Sequence, residues 1–238
     1  MLANYILKLH SSPSSSSTSS IHTETEPHSS PIQSIFNGKR VLELGAGSTG
    51  LPGLVASIYC QAKSVILSDC ENGVLSVLAE NVANNVPKEG DLETVSVVKY
   101  FWSEDWLPES KTGMTGMADS EGEGEDEQGK FDVIIASEIV YDSVDLELLV
   151  KTLSLCLKGK KGEEGGERKD EGEETGSCIE DLPPRIIITL PSLPRVSASR
   201  FVSFLQLFSD EGFVLQSSME TDVGKGGDGF VTRSWTRG

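Results

Sequence analysis

The residues from Arg40 to Ser57 read RVLELGAGSTGLPGLVAS, and within them Gly45-Ala46-Gly47-Ser48-Thr49-Gly50 spells G-x-G-x-x-G. A glycine-rich turn after an apolar strand brings bare main chain close to a nucleotide-bearing cofactor, and two cofactor chemistries use it. A dinucleotide presents a pyrophosphate, which a helix N-terminus attracts. A methyl donor such as S-adenosylmethionine has no phosphate and carries a positive sulfonium and a positive ammonium. Glu43 stands two residues before Gly45, giving Glu-x-Gly-x-Gly. An acid there suits a cation and is awkward for a pyrophosphate, so the spacing favours the methyl donor. Asp69 ends the next apolar stretch, SVILSD, where a carboxylate would take ribose hydroxyls. This second acid does not discriminate, because dinucleotide folds place one there too.

Other chemistries find fewer residues. Cys60, Cys70, Cys156 and Cys178 have neither metal nor redox spacing, which points to reduced thiols in an intracellular protein. His10, His22 and His28 all precede the core, so neither a catalytic histidine nor a metal site is expected. An oxidoreductase would need a second catalytic set, such as His or Lys with Tyr, and none stands out.

The elements that must position the glycine turn alternate in type. RVLEL (40–44), SVILSD (64–69), TVSVVKYFW (94–102), FDVIIAS (131–137) and RIIITL (185–190) are apolar or β-branched runs that predict strands. Segments 50–60, 72–85, 145–158 and 197–212 have helical spacing, with Pro52 tolerated in a first turn and Gly212 closing the last helix. Alternation predicts a Rossmann-like α/β sheet, mostly parallel, with helices on both faces. FVLQSS (213–218) and FVTRSW (230–235) break the alternation and predict a closing hairpin, an antiparallel C-terminal edge.

The 238 residues suffice for one domain, with its core over about 35–238. Residues 2–9 predict a short helix, and the Ser-rich tract 11–31 a flexible segment. Lys plus Arg number 20 against 37 Asp plus Glu, a net charge of −17. Much of that acidity sits in 117–129 and 158–182, which are poor in apolar residues and cannot offset the entropy of ordering. They predict disordered acidic insertions between core elements, the first spanning 109–129. The charge argues against nucleic acid as the main substrate. No run reaches transmembrane length, and the N-terminal apolar run is too short for a signal peptide. A monomeric cytoplasmic protein, with the nucleus as a second compartment, is the expectation.

VLELGAGSTGLPGLVAS, VILSDCENGVLSVLAENVANN and FDVIIASEIVYD together resemble the seven-strand methyltransferases grouped as family 16, largely protein-lysine methyltransferases. The likeness runs from about Val41 to Leu157 and continues more weakly to Val214. It implies S-adenosylmethionine as cofactor and a protein as substrate. By that resemblance Glu43, Gly45, Ala46, Gly47 and Gly50 line the methionine end of the donor. Asp69 and Cys70 lie at the ribose, Trp102 packs by the adenine, and Ala136 and Ser137 form the wall beneath. Glu138 and Tyr141 match the family's acidic-x-x-Tyr motif and are the implied catalytic pair, although Asp is the commoner acid there. The longer turn with Ser48-Thr49 is similar to the calmodulin-lysine methyltransferases, whereas SDCENGVLSVLAENV is similar to the elongation factor 2 enzymes. Leu2-Ala3-Asn4-Tyr5-Ile6-Leu7 looks like the helix that comes after a donor-covering Trp segment in the family, and that segment has no counterpart here. This sets up an alternative expectation: an N-terminally shortened, catalytically weak fold that serves as a binding module. A small-molecule methyltransferase is a third.

Overall fold

The computed structural model describes residue 3 and residues 33–87, 95–102, 130–159, 182–191, 196–221 and 230–238. The elements are α1 (Gln33–Phe36), β1 (Arg40–Leu44), α2 (Leu51–Ile58), β2 (Ser64–Asp69), α3 (Asn72–Asn85), β3 (Val95–Lys99) and β4 (Val133–Ser137), then α4 (Leu146–Cys156), β5 (Arg185–Pro191), α5 (Ala198–Asp210), β6 (Phe213–Thr221) and β7 (Phe230–Arg237). The expected helix over 2–9 is described only at Ala3, which is helical and buried. The Ser-rich tract 11–31 and the insertion 109–129 lie outside the described residues, as does 158–182 apart from its ends.

The strands form one seven-stranded sheet in the order β3-β2-β1-β4-β5-β7-β6. β3, β2, β1, β4 and β5 pair in parallel, and β7 pairs antiparallel with both β5 and β6. This is the expected Rossmann-like sheet with an antiparallel C-terminal edge. Apolar residues on both pleats explain why both faces are covered. Val41, Val65, Leu67, Val133, Ile135 and Ile187 pack on one face with Leu54 and Val55 of α2 and Leu78 of α3. Leu42, Leu44, Ile134, Ile186 and Ile188 pack on the other with Leu149 and Leu153 of α4 and Phe204 and Phe208 of α5. Each such side chain, fully buried, stabilises the fold by about 1.5–3 kcal/mol.

Two strands are shorter than their sequence patterns suggest. The run 94–102 leaves the sheet after Lys99, and Tyr100 N–H donates to Asp69 O at 2.9 Å. In 131–137 the register with β1 begins at Val133; just before it Asp132 N–H donates to Arg40 O at 3.0 Å, and the Asp132 carboxylate accepts from Arg40 N–H at 2.7 Å and meets Lys158 Nζ at 3.2 Å.

The chain runs outward from β1 through β2 to β3, then returns to lay β4 on the other side of β1. In open α/β sheets a crevice forms at the carboxyl ends where the order reverses. Here that crevice is bounded by the turn after β1 and the segment after β4. No helix among the described residues is long and apolar enough to cross a membrane.

Candidate functional site

The turn after β1 is held from several directions. Ala46 N–H donates to Ser68 O at 2.8 Å, and Gly50 N–H donates to Ala46 O at 3.1 Å. Asn81 of α3 donates from Nδ2 to Ser48 O at 2.7 Å. Gly45, Gly47 and Gly50 all lie at positive φ. At Gly45 a second demand applies, since a Cβ there would stand 2.9 Å from Cγ2 of Ile139, which belongs to the segment after β4. The two sides of the crevice interlock at that glycine.

Asp69 joins β2 to the turn. Its Oδ2 accepts from Gly47 N–H at 2.9 Å, and its Oδ1 accepts from Cys70 N–H at 2.7 Å and Glu71 N–H at 3.3 Å. Helix α3 comes next, and its N-cap Glu71 makes no side-chain cap. Cys70 is exposed, with a free thiol.

Glu43 faces the other way. It is 2 % exposed, and its Oε2 accepts from Gly53 N–H at 2.7 Å. Gly50, the N-cap of α2, has no side chain with which to cap, and Gly53 is the third residue of that helix. Glu43 therefore supplies from the sheet the oxygen that a Ser or Asp N-cap supplies locally. Gly53 lets α2 come this close, because a Cβ there would overlap Leu67 Cδ2 and stand 2.7 Å from Glu43 Oε2. Burial pushes the Glu43 carboxyl up to about 8, and the Gly53 hydrogen bond pulls less strongly the other way. Its main-chain oxygen accepts from the buried Ser68 hydroxyl at 2.9 Å.

On the far side, Ala136 is fully buried and Ser137 half-buried. Glu138 is exposed and holds φ +54°, a left-handed conformation uncommon for a residue with a side chain. Its N–H donates to Thr189 O at 2.9 Å. Strain of this kind persists only where the surroundings over-determine it, and it concentrates at functional sites. Tyr141 is 49 % exposed. Trp102 is half-buried against the core, while its neighbour Phe101 is exposed with Lys99 Nζ 5.4 Å from its ring centre.

The fold thus brings Gly45, Ala46, Gly47, Gly50, Asp69 and Cys70 to one wall of the crevice and Ser137, Glu138 and Tyr141 to the strand end beside it. Glu43 and Ala136 lie buried beneath. Sequence reasoning passed over Gly53, Ile139 and Arg200, whose Nε donates to Tyr141 O at 3.0 Å across 59 residues. The glycine could have been noticed as a second small residue in the first turn of α2. The other two carry no local signal.

Comparison with known proteins bears on this arrangement. A profile of the lysine methyltransferase family matches residues 5–162. A calmodulin-lysine N-methyltransferase of Arabidopsis thaliana is 28 % identical over 158 residues, covering 65 % of this chain and 46 % of that protein. The protein N-lysine methyltransferase METTL21A of Danio rerio is 35 % identical over 126 residues, covering 52 % of this chain and 47 % of that protein. The chain spans about half the length of the curated relatives it matches. Among solved structures, magnesium protoporphyrin IX methyltransferase of Synechocystis PCC 6803 with bound SAM superposes with a TM-score of 0.51 at 12 % identity, covering 85 % of this chain and 71 % of that one. At that identity the likeness concerns the fold alone.

Proposed function

The chain belongs to the lysine methyltransferase family, and we propose from that premise that it is an S-adenosylmethionine-dependent protein N-methyltransferase acting on a lysine side chain. The observation that carries the reading is the interlock at the sheet's switch point. Ile139 reaches the glycine turn at Gly45, so a donor held on the turn and an acceptor held beside Glu138 share one crevice.

The residues present fit the donor. An ionised carboxylate has about four acceptor positions. Asp69 uses three of them on Gly47, Cys70 and Glu71. A ribose hydroxyl can take the remaining one, and a second can displace the 3.3 Å bond from Glu71. Gly45, Ala46, Gly47 and Gly50 present main chain to the methionine end. Glu43 serves the turn through α2, and Ala136 and Ser137 form the floor. By the family resemblance Trp102 and Cys70 serve the nucleoside end.

S-adenosylmethionine, when bound, supplies a methyl group on a positive sulfonium. The protein's task is to hold an amine lone pair along the bond that breaks, and orientation of this kind can supply up to about 7–11 kcal/mol. Glu138 can accept a hydrogen bond from the neutral incoming amine and offset the positive charge of the donor and of the methylated product. Tyr141 offers its ring face to an alkylammonium, a contact of about 0.5–2 kcal/mol. Asp142, Asp145 and Glu147 follow in the chain and line the surface beside Arg200, an acidic stretch that favours a basic acceptor segment. Calmodulin-like and elongation-factor-like proteins are the first acceptors to try. The acidic surface of calmodulin would have to avoid the acid-rich stretches of this −17 chain. Cytoplasmic residence suits such acceptors and the free thiols of Cys60, Cys70 and Cys156.

The test is to incubate the purified chain and its Asp69→Ala variant with radiolabelled donor and, separately, calmodulin, elongation factors and a protein extract. Label on a protein lysine, found by mass spectrometry and lost in the variant, is the expected result. Donor binding with label only on free amines would overturn the protein substrate. Absence of donor binding by calorimetry would leave a methyltransferase-fold binding module instead.

A further inference from the structure

Tyr141 has a half-exposed ring, so its place beside the crevice depends on its main chain. Tyr141 O accepts two hydrogen bonds, from Val144 N–H at 3.1 Å and from Arg200 Nε at 3.0 Å. The first is local. The second comes from the first turn of α5, the helix whose Phe204 and Phe208 anchor it in the core. Arg200 Nη2 is buried and finds no partner among the described residues. Burying part of a guanidinium this way is costly unless another of its bonds compensates, and the Tyr141 carbonyl is the partner it has. Beside it lies a cleft of about 490 Å³, lined by Asp142, Leu146, Ser197, Ser199, Arg200 and Ser203.

We infer that Arg200 is a positioning residue for the acceptor side of the site, holding the Glu138–Tyr141 segment in register with the glycine turn through the Tyr141 carbonyl. It touches neither the donor nor the reacting amine. Strand β4 can place Ser137 but not the residues after it, because the chain leaves the sheet at Glu138 in a left-handed conformation. Beyond that point, the main chain of Glu138 is tied to β5 and that of Tyr141 to α5. Arg200 thus couples the packing of α5 to the geometry at Tyr141. This assignment rests on the methyl-transfer reading for its kinetic consequence, but its structural part stands apart from it.

The experiment compares the full chain with Arg200→Met, which keeps the apolar stem, and Arg200→Lys, which keeps a charged donor. Donor affinity, acceptor kcat and KM, and amide exchange at Val144 followed by NMR are measured on each. In Arg200→Met the expected result is a donor affinity within about twofold of the parent. Acceptor kcat/KM should fall by about tenfold, the scale of one charge-assisted hydrogen bond, and exchange at Val144 should quicken. Arg200→Lys should recover part of both losses, because an ammonium can still donate to one carbonyl. Ser203→Ala, in the same cleft but without a bond to Tyr141, should match the parent. Equal losses in donor affinity and acceptor kinetics would mean a general structural role and overturn the inference. So would parental exchange at Val144 in Arg200→Met. If the parent itself methylates nothing, the methyl-transfer reading fails, and the exchange at Val144 still decides whether Arg200 holds the segment.

Discussion

The two walls of the crevice are built differently. The wall after β1 is secured by several mutually reinforcing contacts to the next strand and to helix α3, 22 and 33 residues on. The turn hydrogen-bonds to itself, to β2 through Asp69 and Ser68, and to α3 through Asn81. The wall after β4 has a strained Glu138, a half-exposed Tyr141 and a tether to a helix 59 residues further on. A donor that is the same for every turnover is served by a rigid cradle. Under the proposed function, an acceptor arriving as part of a larger molecule is served by a segment whose position is set from elsewhere and can be retuned there.

The sharpest way to break this contrast is at Asp69. Removing its carboxylate frees three N–H groups of the turn and the approach to α3, and removes the proposed ribose acceptor. Hydrogen bonds to a charged group contribute about 1.5–3 kcal/mol each. Asp69→Ala should therefore weaken donor binding by about 100-fold or more in a calorimetric titration, while thermal unfolding shifts less than three such bonds would suggest, because the Cys70 and Glu71 N–H groups are exposed and water replaces the carboxylate there. A variant that binds donor as tightly as the parent would show that the first wall does not depend on this acid.

The difference between the walls also decides what could be read in the sequence. Every strand announces itself as an apolar run, and the switch in periodicity between strands and helices gives a mostly parallel sheet with helices on both faces, whereas the strand order is seen only in the fold. The closing hairpin was legible because two β-branched runs succeed one another without a helix between them. The glycine turn and Asp69 were legible because their spacing is local. Glu43 was legible as a residue but its partner was not, since only the fold shows its carboxylate accepting from Gly53 N–H in the first turn of α2. Arg200 was not legible, since nothing near it in sequence distinguishes it from a surface arginine at the start of a helix. Its meaning comes from the packing of α5 against the sheet, which brings Nε to a carbonyl across the fold.

Glu43 offers a second test, of intermediate size. Its folded carboxyl is raised to about 8 from 4.5, chiefly by burial. The native state then holds this proton more tightly than the unfolded chain does. The contribution to stability is fully present below about 4.5 and is lost as pH rises towards 8. Glu43→Gln cannot ionise yet keeps a side-chain oxygen for Gly53 N–H. Urea unfolding of both proteins across that interval should show the parent losing a few kcal/mol relative to the variant, at most about 1.4 per pH unit. Parallel pH profiles would mean that the acid is not buried as described. If Glu43 acts on the donor only through α2, the variant should also bind donor within about threefold of the parent.

The smallest expected effect sharpens the comparison most, because it asks whether Tyr141 and Arg200 form one device. Tyr141→Phe keeps the ring face and should hold acceptor kcat/KM within about twofold. Tyr141→Ala removes a cation–π contact of about 0.5–2 kcal/mol and should lower kcat/KM by up to about tenfold with donor affinity unchanged. The backbone carbonyl that Arg200 binds survives both substitutions, so stability should track the ring and not the tether. If Arg200 matters because it aims that ring, then Arg200→Met has little left to spoil once the ring is gone. The double variant should be scarcely slower than Tyr141→Ala alone, leaving a coupling energy well above the few tenths of a kcal/mol expected of independent sites. Additive losses would separate the two residues. The acceptor wall would then be a set of independent contacts, with Arg200 serving some part of the segment other than its tyrosine.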